Sequence, residues 1–306
     1  MASIRIIKRR IKSAKNISQV TKALQMVSAV KMRRAQEAAN AGKPYAEELI
    51  KVLEEISGKV EKRVHPFLTA PSKIEKVWVV AVGPEKGLAG ALVTNLAKKV
   101  FLVTDRIRNG KLLLSDDGLG PVVQIGTDTK LTAVSWGKKS REILKKTGIH
   151  ITADFSLKAK EPVDAQIHAL AHLLSKAYLD HEADLVVIIY SNFVNTVTQK
   201  PRAVQYLPMV TVLGNNQGGV RKIVNFEPSE EDVIGPLLEH YLLTVLNQII
   251  LDATASEHSA RMVAMKNAYD NATDIIKSLT LNYNQTRQSA ITNEIADIVS
   301  GSIVSD

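Results

Sequence analysis

LLEHYLLTVLNQIILDATASEHSARMVAMKNAYDNATDIIKSLTLNYNQTRQSAITNEIADIVS, residues 237–300, contains neither glycine nor proline. Those two residues are the strongest helix breakers. After Pro236 the only glycine is Gly301. From Glu230 almost to the end, roughly 70 residues can form one helix, about 105 Å long at 1.5 Å per residue. A typical globular helix has about 11–12 residues. Leu238, Leu242, Val245 and Ile249 begin a 4-3-4 seam of the coiled-coil kind. Further on, Ala260, Ala264, Ala268 and Ala272 recur every four residues, so a second backbone can approach closely there. A helix of this length cannot bury itself on a core about 40 Å across. It must protrude, and a protruding rod is a mechanical part more readily than an active site.

The other end of the chain has a matching pattern. Ile4, Ile7, Ile11, Ala14, Ile17, Val20, Leu24, Val27 and Val30 recur at spacings of mostly three, a helical stripe. Gly42 and Pro44 predict a break or kink. The stripe resumes at Leu49, Val52, Leu53 and Ile56, with Gly58 as the stop. Two long helical ends around one middle region predict that the ends pair as an antiparallel coiled coil. The expected division is residues 1–70 with 227–306 as the shaft, and 71–226 as an inserted domain.

That middle alternates strand-like and helical runs. Val77–Val82, Val122–Ile125, Ile149–Phe155, Leu185–Tyr190 and Val220–Phe226 read as strands. Ala91–Arg108, Lys138–Thr147 and Pro162–His181 read as helices. All-apolar strands alternating with helices predict a parallel sheet covered on both faces, a doubly wound, Rossmann-like α/β domain. Residues 109–136 have no clear strand layout.

Composition narrows the function. Of 306 residues, 45% are apolar, enough for a sizeable core, and none is cysteine. Disulfides, thiol catalysis and Cys-ligated metals are excluded. No unbroken apolar run approaches the ~20 residues of a membrane span, and the basic N-terminus lacks a signal-peptide pattern. The formal net charge of +9 is unevenly placed: residues 1–36 hold ten Lys or Arg and no acid, while the rest nets −1. Lys8-Arg9-Arg10-Ile11-Lys12 suits phosphates, but the block has no aromatic residue for stacking on bases, and it is woven into an apolar stripe. That combination points to a protein partner.

Candidate chemistry is thin. Gly83-Pro84-Glu85-Lys86-Gly87-Leu88-Ala89-Gly90 lies where a phosphate loop belongs, between strand and helix. Its spacing matches neither G-x-G-x-x-G nor G-x-x-x-x-G-K-[ST]. A Rossmann-type nucleotide-binding enzyme with helical extensions is the rival reading. His168 and His172, four apart, share a helix face but lack a neighbouring third ligand; the other five histidines are isolated. The adjacent acids Asp116-Asp117 and Glu230-Glu231 do not converge on one substrate and read as solvated or capping.

The ends carry a resemblance. Ser256-Glu257-His258-Ser259-Ala260-Arg261-Met262-Val263-Ala264-Met265 resembles the SEH-x-A-R-M-x-A-M run of the γ subunit family of F-type ATP synthases. Residues 291–302 resemble that family's I-T-x-E-x-x-[DE]-x-x-x-G-A signature, with Ser302 in place of its alanine. Residues 11–36 are similar to its I-K-S-x-x-N…T-K-A-M-x-M-V-A-A-x-K-x-R-x-A-Q. Gly87-Leu88-Ala89-Gly90 stands at its D-R-G-L-C-G-G-L-N run, with Glu85-Lys86 for D-R and Ala89 for the cysteine. Ile188-Ile189-Tyr190-Ser191-Asn192-Phe193 is similar to its I-Y-N-x-F run, with Ser191 in place of the asparagine.

The resemblance implies a rotor without cofactor or catalytic residues, coupling transmembrane proton flow to ATP synthesis on β subunits. Its implied partners are the hexamer of α and β subunits, the ε subunit and the ring of c subunits. Nucleic acid is not among them, and membrane contact comes only through the complex, at the cytoplasmic face of a bacterial cell membrane. It also implies contact roles for Lys22, Leu24, Met26, Lys31, Arg33 and Arg34 near an acidic loop of β. Arg287 and Gln288 would hydrogen-bond to β nearer the tip. Thr292 and Glu294 either join them or set the register of the helix pair.

Overall fold

The computed structural model describes residues 4–57, 65–69, 71, 73–113, 122–126, 129–156, 162–209 and 230–303. Gly58, Asp116-Asp117 and the strand expected at 220–226 lie outside them, as do the side chains of Glu230, Glu231 and residues 297–303. The elements are α1 (Ile4–Ser57), β1 (Lys76–Val82), α2 (Leu92–Arg108), β2 (Lys111–Leu113), β3 (Val122–Gln124), β4 (Lys130–Trp136), α3 (Lys138–Thr147), β5 (His150–Phe155), α4 (Val163–Leu179), β6 (Leu185–Phe193), β7 (Gln199–Leu207) and α5 (Glu230–Ile303). Both long helical ends are present, with a mixed α/β sheet between them in sequence. Two compact units divide the chain: Val30–Ala260, and the residues up to Ala29 together with those from Arg261.

The larger unit is built on a five-stranded sheet of order β5-β4-β1-β6-β7. Four strands are parallel and β7 runs antiparallel to β6. Side chains alternate across a strand, so β1 feeds two cores. Val77, Val79 and Ala81 pack with Leu96, Val100 and Val103 of α2 and Leu144 of α3. Trp78, Val80 and Val82 pack with Leu170 and Leu174 of α4, Leu49 and Leu53 of α1, and Leu238, Leu242 and Leu246 of α5. Burial on both faces explains why β1 and β6 carry no polar alternation.

Three strands went unread in the sequence, for physical reasons. Edge strand β7 carries Lys200, Pro201 and Arg202, residues that only an edge tolerates. β4 interrupts its apolar run with Thr132 and Ser135; the Ser135 hydroxyl donates to Asp154 at 2.5 Å. The short β2 pairs only with β3, in a separate two-stranded ladder. Of the break or kink expected at Gly42 and Pro44, the break is absent: α1 runs through both, with Pro44 inside the helix. α5 is long and apolar enough to cross a membrane by length and composition. Its apolar first half is accounted for by packing on the sheet.

In the smaller unit, α1 and α5 each show a heptad burial pattern. On α1, Ile4, Ile7, Ile11, Ala14, Ser18, Thr21, Gln25 and Ser28 are buried or half-buried. On α5, the same holds for Met265, Tyr269, Ala272, Ile276, Leu279, Tyr283, Thr286 and Ala290. Steps of three and four alternate strictly in both, the coiled-coil repeat. The Lys22 ammonium sits 4.8 Å from the centre of the Tyr269 ring. In the larger unit Gly42 lies nearest Gln248 and Tyr45 meets His240, so positions that rise along α1 fall along α5, and the two helices run antiparallel.

The stripe expected on α1 is thus half wrong. After Ala14 the seam continues through Ser18 and Thr21, while Ile17, Val20, Val27 and Val30 are 53%, 58%, 53% and 54% exposed. Small polar residues can occupy a seam when their hydroxyls bond to their own helix. Thr21 donates to the carbonyls of Ile17 at 2.9 Å and Ser18 at 3.0 Å. Gln25 is less well placed, because its side-chain oxygen is buried with no hydrogen-bond partner among the described residues. Such an orphan costs about 1–3 kcal/mol. Gln25→Leu is therefore expected to raise the thermal midpoint of the helical signal, measured by circular dichroism.

Candidate partner-binding surfaces

The residues expected to contact partners lie on both long helices. On α1, Met26, Lys31, Arg33 and Arg34 are exposed, and Leu24 is half-buried. Arg33 pairs with Glu37 one turn on at 2.8 Å, both side chains solvated. A pair of that kind is worth only about 0.3–0.5 kcal/mol and leaves the guanidinium available. Lys22 differs: it is half-buried and already stacked on Tyr269. Its first contact is within the chain.

On α5, Arg287, Gln288, Thr292 and Glu294 are all exposed. The Thr292 hydroxyl donates to the carbonyl of Gln288 at 3.0 Å, within its own helix. Glu294 is exposed within one turn of the end of the described side chains.

Sequence reasoning named Leu24 and Met26 but missed the rest of the apolar part of these surfaces. Ile17, Val20, Met26, Val27 and Val30 on α1 are exposed, as are Ile275, Leu281, Ile291 and Ile295 on α5. On α1, Ile17, Val20, Leu24 and Val27 repeat 3-4-3, a second coiled-coil-like seam beside the first. Two overlapping seams were the available signal; reading them as one stripe hid the exposed one. Single exposed hydrophobes are ordinary, but a contiguous apolar row marks an interaction surface.

The family motif around Ser256 has an internal role. Ser256 and Ser259 are fully buried. The Ser259 hydroxyl donates to the Thr196 carbonyl at 2.6 Å and accepts from the Gln199 amide at 3.4 Å. These bonds fasten α5 to the β6–β7 turn. Ala260 packs against Ala89 and Leu92 at the start of α2.

Glu85 of the glycine-rich loop after β1 caps a different helix from the one that the loop leads into. A helix N-terminus binds anions through its unpaired N–H groups. At α3 that place is taken by Glu85, which accepts from the Lys138 N–H at 3.1 Å, with the Lys138 ammonium 3.6 Å away. This bond ties the loop after β1 to the start of α3.

The histidines are less isolated than their spacing implies. His168 and His172 of α4 face a groove of about 360 Å³ that is also lined by Glu239 and His240 of α5. His65 lies near Glu239, and burial pulls its pKa down, with the Glu239 charge partly opposing this.

The chain matches the ATP synthase family model over residues 3–303. It is 37% identical over 303 residues to the ATP synthase gamma chain of Roseiflexus castenholzii, covering 98% of both chains. Identity to the ATP synthase gamma chain of Chloroflexus aurantiacus is 35%, again over 98% of each. Among solved structures, the fold resembles the rotor of the Euglena gracilis mitochondrial ATP synthase. There the TM-score is 0.61 at 19% identity, covering 94% of this chain and 99% of that one. Fold, motifs and whole-length relatives agree: the chain belongs to the ATP synthase gamma chain family.

Proposed function

We propose that the chain is the central-stalk rotor of an F-type ATP synthase, passing rotation driven by transmembrane proton flow to catalytic β subunits. It is a non-catalytic subunit. The observation that carries the reading is the second, exposed seam on α1, flanked by bases without a nearby acid before Glu37. An apolar row gives adhesion to a surrounding sleeve of α and β subunits. The bases give attraction to acidic protein surfaces that turns over easily, because exposed ion pairs are worth about 0–1 kcal/mol each. A shaft that meets several β subunits in turn needs contacts of that shallow kind. We assign Met26, Lys31, Arg33, Arg34, Arg287, Gln288, Thr292 and Glu294 to this surface, with Leu24 at its edge and Lys22 braced from behind by Tyr269.

The remaining assignments follow from the same reading. Residues 71–226 form the foot that meets the ε subunit and the c ring, and residues 1–70 with 227–306 form the shaft. The complex sits peripherally at the cytoplasmic face of a bacterial cell membrane.

The reading is tested by co-expression with α and β subunits. Wild-type chain is expected to co-purify with an αβ hexamer that hydrolyses ATP. Replacing Ile17, Val20 and Val27 together by Ser leaves the fold unchanged, because all three side chains are exposed. Burying one such side chain is worth about 1.5 kcal/mol or more, so the hexamer should be retained at least tenfold less well. Equal retention would remove the seam from the interface.

A further inference from the structure

The net −1 of the chain after residue 36 conceals a second basic surface. We propose that the flank formed by α2 and α3 docks a protein with an acidic face, anchored on Phe101 and Leu102.

α2 and α3 hold nine Lys or Arg against two acids, Asp105 and Glu142. Glu142 is already paired with Lys139 at 2.7 Å. α4, on the other side of the sheet, is balanced, with Asp164 against Lys176. The two basic helices lie side by side. A Cβ at Gly83 would meet Leu96 of α2 at 3.0 Å and Ser140 of α3 at 3.1 Å, and Arg108 donates to the carbonyl of Thr147 at 2.9 Å. Lys98, Lys145 and Lys146 are exposed and carry no ion pair among the described residues. Phe101 and Leu102, 41% and 43% exposed, interrupt this charge. Leu102 stands four residues after Lys98 and four before Arg106, so the three form one row on α2. An apolar centre within a polar rim is the anatomy of a protein interface, and a basic rim selects an acidic partner.

The place of the flank favours a protein over a bilayer. α2 and α3 pack on one face of the sheet, and α1 and α5 on the other, so the flank looks away from both long helices. α5 runs alongside the sheet: the Leu242 carbonyl accepts from Tyr206 at one end of the β6–β7 hairpin, and Ser259 donates to Thr196 at the other. On the rotor reading, on which this point rests, the membrane lies across the helix axis and faces the end of the unit. Phe101 is the only aromatic residue on α2 and α3, which is too little for stacking on bases. A partner on a turning flank must turn with the chain. Its contact is permanent, unlike the shallow contacts of the shaft.

The test puts the photo-cross-linker p-benzoylphenylalanine in place of Phe101, in the full chain, in cells that make the whole ATP synthase. Irradiation should join the chain to one protein, through a peptide in which Asp and Glu outnumber Lys and Arg. Lys98→Gln, Lys145→Gln and Lys146→Gln together should cut that yield at least tenfold, with the thermal midpoint of the chain unchanged. Cross-links to lipid or nucleic acid alone, no cross-link at all, or a yield indifferent to the three changes would overturn the proposal. A chain that does not co-purify with α and β subunits would remove the rotor reading instead, because the cross-link is read on the chain itself.

Discussion

Replacing Lys31, Arg33 and Arg34 together by Ala should leave the chain folded and the complex assembled, yet lower ATP-driven proton pumping about tenfold or more. All three side chains are exposed, and Arg33 gives up a solvated ion pair with Glu37. Stability should therefore hold to within about 0.5 kcal/mol. At a partner surface each lost charge removes up to about 1 kcal/mol, and 1.4 kcal/mol is a factor of ten. The measurement is ATP hydrolysis and proton pumping by the assembled enzyme. Unchanged pumping would take these bases out of the coupling surface.

The second large effect is structural. Gly137 closes the turn from β4 into α3 at a φ of +87°, and a Cβ there would lie 2.3 Å from the backbone oxygen of Gly83. That oxygen is main chain, on the strand-end loop that also carries Glu85, and it cannot swing aside. Gly137→Ala thus adds a left-handed strain and a hard clash, and loss of about 3 kcal/mol or more is expected. Gly87→Ala is the control, since nothing lies within 4 Å of its Cβ. Urea unfolding should show a much lower midpoint for the first variant and little change for the second.

Much of the fold was legible in the sequence because its signals are strong and local. The Gly- and Pro-free run after Pro236 reads as the 74-residue α5, and Lys138–Thr147 as α3. What stayed hidden depends on neighbours. Gly42 and Pro44 argued for a break or kink, and α1 continues through both without a break. Strand β7 holds its place by pairing with β6 from Gln199 to Leu207, not by its own residues.

The surfaces were legible in their charges and in Leu24 and Met26, and hidden in the rest of their apolar part. Ten bases without an acid are visible by counting. Which apolar residues face outward depends on the phase of the heptad, and that is fixed only when α5 is laid against α1. Ser18 and Thr21 turn out to be inside, Ile17 and Val20 outside. In the same way, His240 joins His168 and His172 only through the packing of α4 beside α5.

The absence of cysteine makes the central claim directly observable. A single cysteine placed at exposed Lys98 on α2 can carry a bead, with α and β subunits fixed to a surface. With ATP present, the account predicts repeated rotation of the bead in one direction. A stable, ATP-hydrolysing complex whose bead does not turn would contradict it.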